Sequence, residues 1–110
     1  MRVAMTELRP RHKFNAKRTE HAGRTYASKA EARYAAGLAT RKSAGLVLFW
    51  LEQVPIHLPG NTKYVVDFLE FHADGTVHFT DVKGVRTPMF TLKKKQVEAL
   101  YPHIEIEAVS

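Results

Sequence analysis

The chain has 110 residues, with 17 Lys or Arg against 11 Asp or Glu, so its formal net charge is +6. This length fits one domain, and a composition that is 45% hydrophobic and 25% charged excludes wholesale disorder. The absence of cysteine excludes disulfide frameworks, thiolate-bound zinc and thiol catalysis. No apolar run is long enough to cross a bilayer and no signal peptide is visible, so we expect a cytoplasmic protein without a membrane partner.

The positive charge is concentrated in two stretches. Residues 1–24 hold seven basic and two acidic residues, which is +5 of the net charge. This segment has little periodicity and is predicted to be a basic N-terminal arm ahead of a single domain over residues 25–110. Residues 83–95 hold five Lys or Arg and no acid. Both stretches indicate a polyanionic partner, although a solubility tail and a solvated helix face would have the same composition.

The first predicted elements are a helix and a strand. Ser28-Lys29-Ala30-Glu31 is a capping box, and the Ala-rich stretch that follows predicts a helix that ends near Ser43-Ala44-Gly45. Residues 46–58 have the composition of a strand. Because Pro55 has no N–H for a strand ladder, we expect this strand to lie at a sheet edge or to be interrupted there.

The remaining elements are a hairpin, a second helix and a last strand. Residues 63–72 and 76–83 are strand-like and flank Ala73-Asp74-Gly75, which indicates a hairpin. Thr91 is predicted to cap a helix over residues 92–101, and residues 104–109 alternate as a final strand. The predicted order of the domain is therefore α, β, β, β, α, β.

The register of the hairpin decides which side chains meet. A two-residue turn would place Asp67 opposite Val82, whereas a three-residue loop with Gly75 in the left-handed conformation places Asp67 opposite Asp81. In the register with the three-residue loop, one face of the hairpin is the more apolar near the turn. The only charged residues on that face, Asp67, Asp81 and Lys83, lie at the far end. Opposed carboxylates repel unless a cation lies between them. The cluster is therefore either a divalent metal site or an ion-pair group neutralised by the lysine.

Glu31 could add a third carboxylate. It shares a helix face with Tyr34, Ala35 and Leu38, a face that should pack on the sheet. A glutamate is unexpected there, but its place in the capping box explains it equally well.

These residues, in this order, resemble the PD-(D/E)XK nuclease superfamily, whose short core has the order αβββαβ. Asp67 matches the acid on the second strand, although Val66 stands where the pattern has Pro. Asp81-Val82-Lys83 matches the acid-x-Lys of the third strand, with Asp where Glu is common, and Glu31 matches a glutamate often found on the first helix. Further runs resemble small phage-encoded members: Lys13-Phe14-Asn15-Ala16-Lys17, the stretch 26–34, Val66-Asp67-Phe68, Asp81-Val82-Lys83-Gly84 and Leu100-Tyr101-Pro102.

The resemblance implies an α/β, restriction-endonuclease-like fold with a mixed β-sheet flanked by helices, and a Mg²⁺-dependent DNA endonuclease in which Mn²⁺ can substitute. Asp67, Asp81, Glu31 and the Val82 backbone carbonyl would hold the metal. Lys83 would act on the attacking water or the phosphate. Gln53 is either a supporting neighbour of this site or a plain surface glutamine. The residues expected to contact DNA are Lys13, Lys17, Arg18, Arg24, Arg86, Lys93, Lys94 and Lys95.

Relatives of this size imply a branched or nicked DNA substrate in phage recombination, repair or packaging. They also raise a homodimer as an option, and a phage origin would place the protein in the bacterial host cytoplasm. No small-molecule cofactor is expected. The alternative function is a non-catalytic nucleic-acid-binding module on the same fold.

Overall fold

The computed structural model describes residues 19–21 and 24–110, with side chains from residue 25 onward. Its elements are β1 (Thr19–His21), β2 (Arg24–Tyr26), α1 (Lys29–Ser43), β3 (Val47–Leu58), β4 (Thr62–His72), β5 (Val77–Val82), α2 (Pro88–Leu100) and β6 (Ile106–Val109). From α1 onward this is the predicted order of elements. None of the described helices is long and apolar enough to span a membrane.

Four strands form one mixed sheet in the order β3-β4-β5-β6. β3, β4 and β5 pair antiparallel with one another, whereas β6 is parallel to β5 and is reached through α2. The prediction from Pro55 is confirmed, because β3 is an edge strand that, among the described residues, pairs only with β4. The chain is thus an α/β protein with a mixed four-stranded sheet.

The two helices lie on opposite faces of this sheet. Phe79 packs in an apolar cluster with Phe90 and Val97 of α2, whereas Val82 packs in a second cluster with Leu38 of α1. Successive strand residues point to opposite faces, so an odd and an even position on β5 mark the two sides. The helices therefore flank the sheet, as expected.

Helix α1 has the predicted bounds. Ser28 is its N-cap, with the Glu31 N–H donating to Ser28 Oγ at 3.1 Å. Among the described residues the Ser28 N–H does not donate to the Glu31 carboxylate in return, so only half of the capping box forms. Gly45, at a φ of 81°, follows the helix in the left-handed conformation that terminates helices.

The hairpin of β4 and β5 has the three-residue loop. Gly75 has a φ of 88°, and the His72 N–H donates to the Thr76 carbonyl at 2.9 Å. The buried face of this hairpin is not the one that is more apolar toward the turn. Phe68 and Glu70 are buried, whereas Phe71, on the more apolar face, is only half-buried. The reason is that α1 covers the face of Phe68 and Glu70.

The largest differences from the prediction are the start of α2 and an additional pair of strands. Helix α2 begins at Pro88 with Thr87 as its N-cap, not at Thr91, because a proline at the first helical position after a capping threonine starts the helix one turn earlier. Strands β1 and β2, which pair antiparallel within and just after the predicted arm, had no counterpart among the predicted elements. Tyr26 anchors this hairpin, since it is buried and its hydroxyl donates to Glu52.

Candidate active site

The two central strands change their pairing where the predicted carboxylates meet. β4 and β5 keep the regular ladder as far as Phe68 opposite Thr80. At the next position side chains replace backbone carbonyls as acceptors. The Asp67 N–H donates to Asp81 Oδ1 at 2.9 Å, and the Val82 N–H donates to Asp67 Oδ2 at 2.9 Å. The backbone of the sheet therefore fixes both carboxylates next to each other.

Gln53 lies beside Asp67 on the neighbouring strand and interrupts β3. Its backbone is left-handed, with a φ of 54°, between residues that are regularly paired with β4. A non-glycine residue in this conformation costs about 1–3 kcal/mol and persists only where its surroundings hold it. The Gln53 side-chain Nε2 donates to Asp67 Oδ1 at 3.3 Å. Although exposed, this glutamine is thus a direct neighbour of the acid pair.

At the same interruption the β3–β4 hairpin changes the helix against which it packs. On the side toward the β4–β5 turn, Trp50 and Phe68 pack in the cluster with α1. On the other side, Ile56 and Val66 pack in the cluster with α2. Asp67 therefore lies at the boundary between the two apolar clusters. At this point its regular backbone pairing is interrupted on both neighbouring strands, β3 and β5.

Glu31, in the first turn of α1, faces this boundary. Its pKa is raised from 4.5 to about 7, mainly by burial and then by the negative charge of Asp67, while Lys83 acts in the opposite direction. Asp81 and Glu52 add further to the rise. Charges affect one another in this way only at short range. Glu31 is therefore within electrostatic reach of Asp67, Asp81 and Lys83, the other groups singled out in the sequence.

Asp81 is the most enclosed of these groups, with 0% of its surface exposed. Burial raises its pKa above the usual range, partly offset by the hydrogen bond from the Asp67 N–H and by the charge of Lys83. Its Oδ2 atom is buried and has no hydrogen-bond partner among the described residues. An unsatisfied buried polar atom costs about 1–3 kcal/mol, and more when it is charged. This oxygen is therefore available to a cation.

Lys83 follows Asp81 by two residues and so points to the same side of the chain. Its N–H donates to the Val109 carbonyl at 2.7 Å, which holds this end of β5 to β6. Its Nζ lies 5.2 Å from the centre of the Phe90 ring on α2. A cation over an aromatic face is attracted by about 0.5–1 kcal/mol. The ammonium group thus lies against α2, where its charge still lowers the pKa of Asp81.

The donor set suits a small, hard cation. Among the described residues no three His, Asp or Glu side chains form a ready-made metal cluster. Carboxylate oxygens nevertheless keep lone pairs after accepting one hydrogen bond, and Asp81 Oδ2 accepts none. Mg²⁺ keeps several waters and takes one or two carboxylates, so Asp67, Asp81 and the Val82 carbonyl have the chemistry that it requires. The residues fit the expected ion.

A basic cavity lies next to the acid pair. Its volume is about 460 Å³, and its lining is Arg86, Phe90, Thr91, Lys94, Lys95, Glu98, Ile106 and Ala108. Lys94 is tied to Glu98, with Nζ and Oε2 2.8 Å apart. Phe90 lines this cavity and also contacts the Lys83 ammonium. Three of the four predicted DNA contacts on this side therefore converge on one concave surface.

The other predicted DNA contacts are placed differently. Lys93 is half-buried on α2 and does not line the cavity. Arg24 is in β2, with its side chain outside the described part of the structure. Lys13, Lys17 and Arg18 lie outside the described residues.

One acid near the site was missed in the sequence. The Glu52 carboxylate accepts hydrogen bonds from Trp50 Nε1 and from the Tyr26 hydroxyl, both at 2.9 Å, and its charge raises the pKa of Glu31. Strand alternation puts Glu52 on the same face as Trp50, which could have indicated an acid turned toward the core.

Another buried acid, Glu70, holds the helix that carries Glu31. It is 1% exposed, and it accepts a hydrogen bond of 2.5 Å from the Tyr34 hydroxyl. Its other oxygen bonds His72 Nε2 at 2.8 Å. Because Tyr34 follows Glu31 by one helical turn, this contact fixes the helix face that is directed at the acid pair.

Comparison with known proteins identifies a family. A family model described as a protein of unknown function (DUF1064) matches residues 11–110, which is most of the chain. Searches of curated proteins and of solved structures gave no match. The chain is a member of the DUF1064 family.

Proposed function

We propose that the protein is a Mg²⁺-dependent endonuclease that hydrolyses phosphodiester bonds of branched or nicked DNA. The observation that carries this proposal is the pairing of Asp67 with Asp81, whose Oδ2 is buried without a partner. Two acids held side by side, with Glu31 and Lys83 as near neighbours, form a site that a divalent cation would stabilise. The resemblance to the PD-(D/E)XK pattern rests on these same four residues.

Each residue has a distinct part in the proposed reaction. When bound, the ion would polarise the scissile phosphate and lower the pKa of the attacking water. Asp67 and Asp81 would hold it, in orientations that the backbone N–H groups have already set. The Lys83 ammonium would stabilise the negative charge that develops on the phosphate, and Glu31 would take a second ion directly or through water. In similar enzymes the products carry a 5′-phosphate.

The basic cavity supports DNA as the substrate. Arg86, Lys94 and Lys95 would contact backbone phosphates next to the cleaved bond. Such contacts position the duplex without reading its sequence. We therefore propose that selectivity comes from the shape of the DNA, in recombination, repair or packaging of phage DNA.

The direct test is nicking of supercoiled plasmid with Mg²⁺ or Mn²⁺, with and without EDTA. Asp81→Asn and Asp67→Asn keep the shape and one acceptor oxygen but remove the charge, so both should abolish nicking while binding of DNA persists. Glu105→Gln, which removes an exposed acid elsewhere, is the matched control and should cleave normally. Wild-type cleavage in EDTA, or cleavage by Asp81→Asn, would refute the proposed site. A panel of linear, nicked, flap and four-way-junction DNA then tests the preferred structure.

The basic cavity also favours the second candidate, a non-catalytic DNA-binding module. Its cations would bind phosphates whether or not the acid pair cuts them. The two functions differ in calorimetry: a cleaving enzyme should bind Mg²⁺ in a manner lost in Asp67→Asn, whereas a binding module should bind DNA equally well with and without the ion.

A further inference from the structure

Three apolar side chains are exposed just after the proposed catalytic lysine. Val85 is 78% exposed in the loop that follows Lys83, and Met89 and Leu92 on α2 are 59% and 51% exposed. Among the described residues none of these three belongs to the apolar clusters that hold the helices on the sheet. We call Val85, Met89 and Leu92 the apolar tip. Exposed apolar side chains that occur close together mark a surface that binds a partner.

Helix α2 has three different faces. Phe90 and Val97 face the sheet, in the apolar cluster on that side. A second face lines the basic cavity. Met89 and Leu92 are three residues apart and so lie together on the remaining face, which Lys93 shares because it follows Met89 by four residues. Lys93, which does not line the cavity, is thus a neighbour of the apolar tip.

The charge around the apolar tip indicates what kind of partner it binds. Residues 83–95 hold five Lys or Arg and no Asp or Glu, and Arg86 follows Val85 directly. A protein that covered the tip would bury these cations at a cost unless it paired each of them with an acid. A nucleic acid pairs with them through its phosphates. The composition of this surface therefore favours DNA as the partner.

The apolar side chains and the cations require different parts of the DNA. Phosphates attract the cations, whereas aliphatic side chains gain only from contact with the flat, apolar faces of bases. In a continuous duplex these faces are covered by the neighbouring base pairs. They become accessible where the stack is interrupted, at a nick, a flap or a branch point. Methionine and other aliphatic side chains act as wedges at such steps in proteins that kink DNA.

The loop that carries Val85 is fixed at both ends. Before it, the Lys83 N–H donates to the Val109 carbonyl at 2.7 Å. After it, Thr87 caps α2 by accepting from the Phe90 N–H at 3.1 Å, and the ring of Pro88 fixes its φ. A side chain on a fixed backbone loses little conformational freedom on binding. The loop can therefore press its side chain against a base without first becoming ordered.

We propose that the apolar tip inserts against the base that is left uncovered where a DNA stack is interrupted. The surrounding cations hold the phosphates on either side, and the tip places the interruption beside Lys83. The preferred substrate class is then DNA with an interrupted stack, because insertion into a continuous duplex has to break a stacked step first. This inference rests on the DNA binding in the proposed function and not on cleavage.

Titration of two DNA duplexes in EDTA tests the proposal without cleavage. Both have the same sequence and carry the fluorescent base 2-aminopurine at one position, and one duplex has a nick beside it. The wild-type chain should raise the emission from the nicked duplex, because the base loses its stacking, and should leave the intact duplex unchanged. Val85→Ser combined with Met89→Ser should abolish this rise and lower the affinity for nicked DNA about tenfold. Its affinity for intact duplex should change by less than about twofold, since the cations that hold the phosphates are kept.

Leu100→Ser is the matched control. Leu100 is 48% exposed at the other end of α2, and its replacement should leave binding and emission as in the wild type. Circular dichroism checks that each variant is folded, and Val85→Ser or Met89→Ser alone replaces the double variant if that fails to fold. A double variant with wild-type affinity for nicked DNA overturns the proposal and leaves the apolar tip to a protein partner. An equal loss of affinity for both duplexes overturns it as well.

Cleavage in Mg²⁺ is measured separately, so the two proposals can fail independently. A chain that binds nicked DNA through the apolar tip but never cuts it would refute the nuclease and support the tip. A chain that cuts DNA while its double variant cuts nicked and intact duplex as the wild type does would overturn only the tip.

Discussion

The ionisation of Glu31 should make the metal-free protein less stable as the pH rises. The charged groups that face it are Asp67 on β4, Asp81 and Lys83 on β5 and Glu52 on β3. Its pKa in the folded chain is about 7 against 4.5 for a glutamate free in water, chiefly because of burial. A carboxyl with a raised pKa stabilises the fold below its unfolded pKa, and this contribution is lost as the pH passes the folded value. The loss should therefore occur between about pH 4.5 and about pH 7.

The size of this effect follows from the shift. A pKa unit is worth about 1.4 kcal/mol, so a rise from 4.5 to about 7 sets an upper limit of about 3 kcal/mol. Glu31 is only half-buried, and screening by solvent reduces the expected loss to roughly 1–2 kcal/mol. In a domain of this size 1 kcal/mol moves Tm by about 4–8 °C. The effect is therefore large enough to measure.

Urea unfolding in EDTA, followed by fluorescence of Trp50 and by circular dichroism, measures it. Between about pH 5 and about pH 8, Glu31→Gln should gain roughly 1–2 kcal/mol relative to the wild type. Glu105→Gln should follow the wild type, and Mg²⁺ at the higher pH should restore the wild-type stability. A difference between wild type and Glu31→Gln that does not change with pH would refute the crowding of acids around Glu31.

Three further outcomes are expected. Gln53→Gly should be more stable than Gln53→Ala by about 1 kcal/mol in thermal unfolding, because only glycine adopts the left-handed backbone without strain; equal stabilities would contradict that backbone. Arg86→Ala and Lys95→Ala should each lower the slope of log affinity for DNA against log salt by about 1, whereas weaker binding at an unchanged slope would argue against a phosphate contact. Tyr34→Phe should cost about 1–3 kcal/mol in urea unfolding, since buried Glu70 loses a donor; a cost below about 0.5 kcal/mol would show that the bond adds nothing.

Local chemistry made the register of the central hairpin predictable. Gly75 takes the left-handed position of a three-residue loop, and this one residue sets every pair along β4 and β5. With a three-residue loop the proximity of Asp67 and Asp81 follows from counting residues, although a two-residue turn was the alternative prediction. The missing N–H of Pro55 predicted either an edge strand or an interruption, and β3 is at the edge.

Features that depend on tertiary contacts were not predictable in this way. No propensity places Gln53 in the left-handed region in the middle of a strand, because the fold imposes that conformation where the hairpin passes between the helices. Which hairpin face is buried depended on where α1 docks, so the apolar side chains near the turn stayed outside the core. The N-cap of α2 is a local feature, but two threonines are candidates for it: the prediction chose Thr91, and the structure has Thr87.

The use of side-chain oxygens in the strand ladder restricts which acid can occupy position 81. Asp81 Oδ1 reaches the Asp67 N–H at 2.9 Å across the gap between β4 and β5. A glutamate is longer by one carbon–carbon bond, about 1.5 Å, so its carboxylate would either push the strands apart or lose this hydrogen bond. The PD-(D/E)XK pattern accepts either acid at this place. In this chain the spacing of two strands makes the choice, and any substitution that alters the spacing should misalign both carboxylates together.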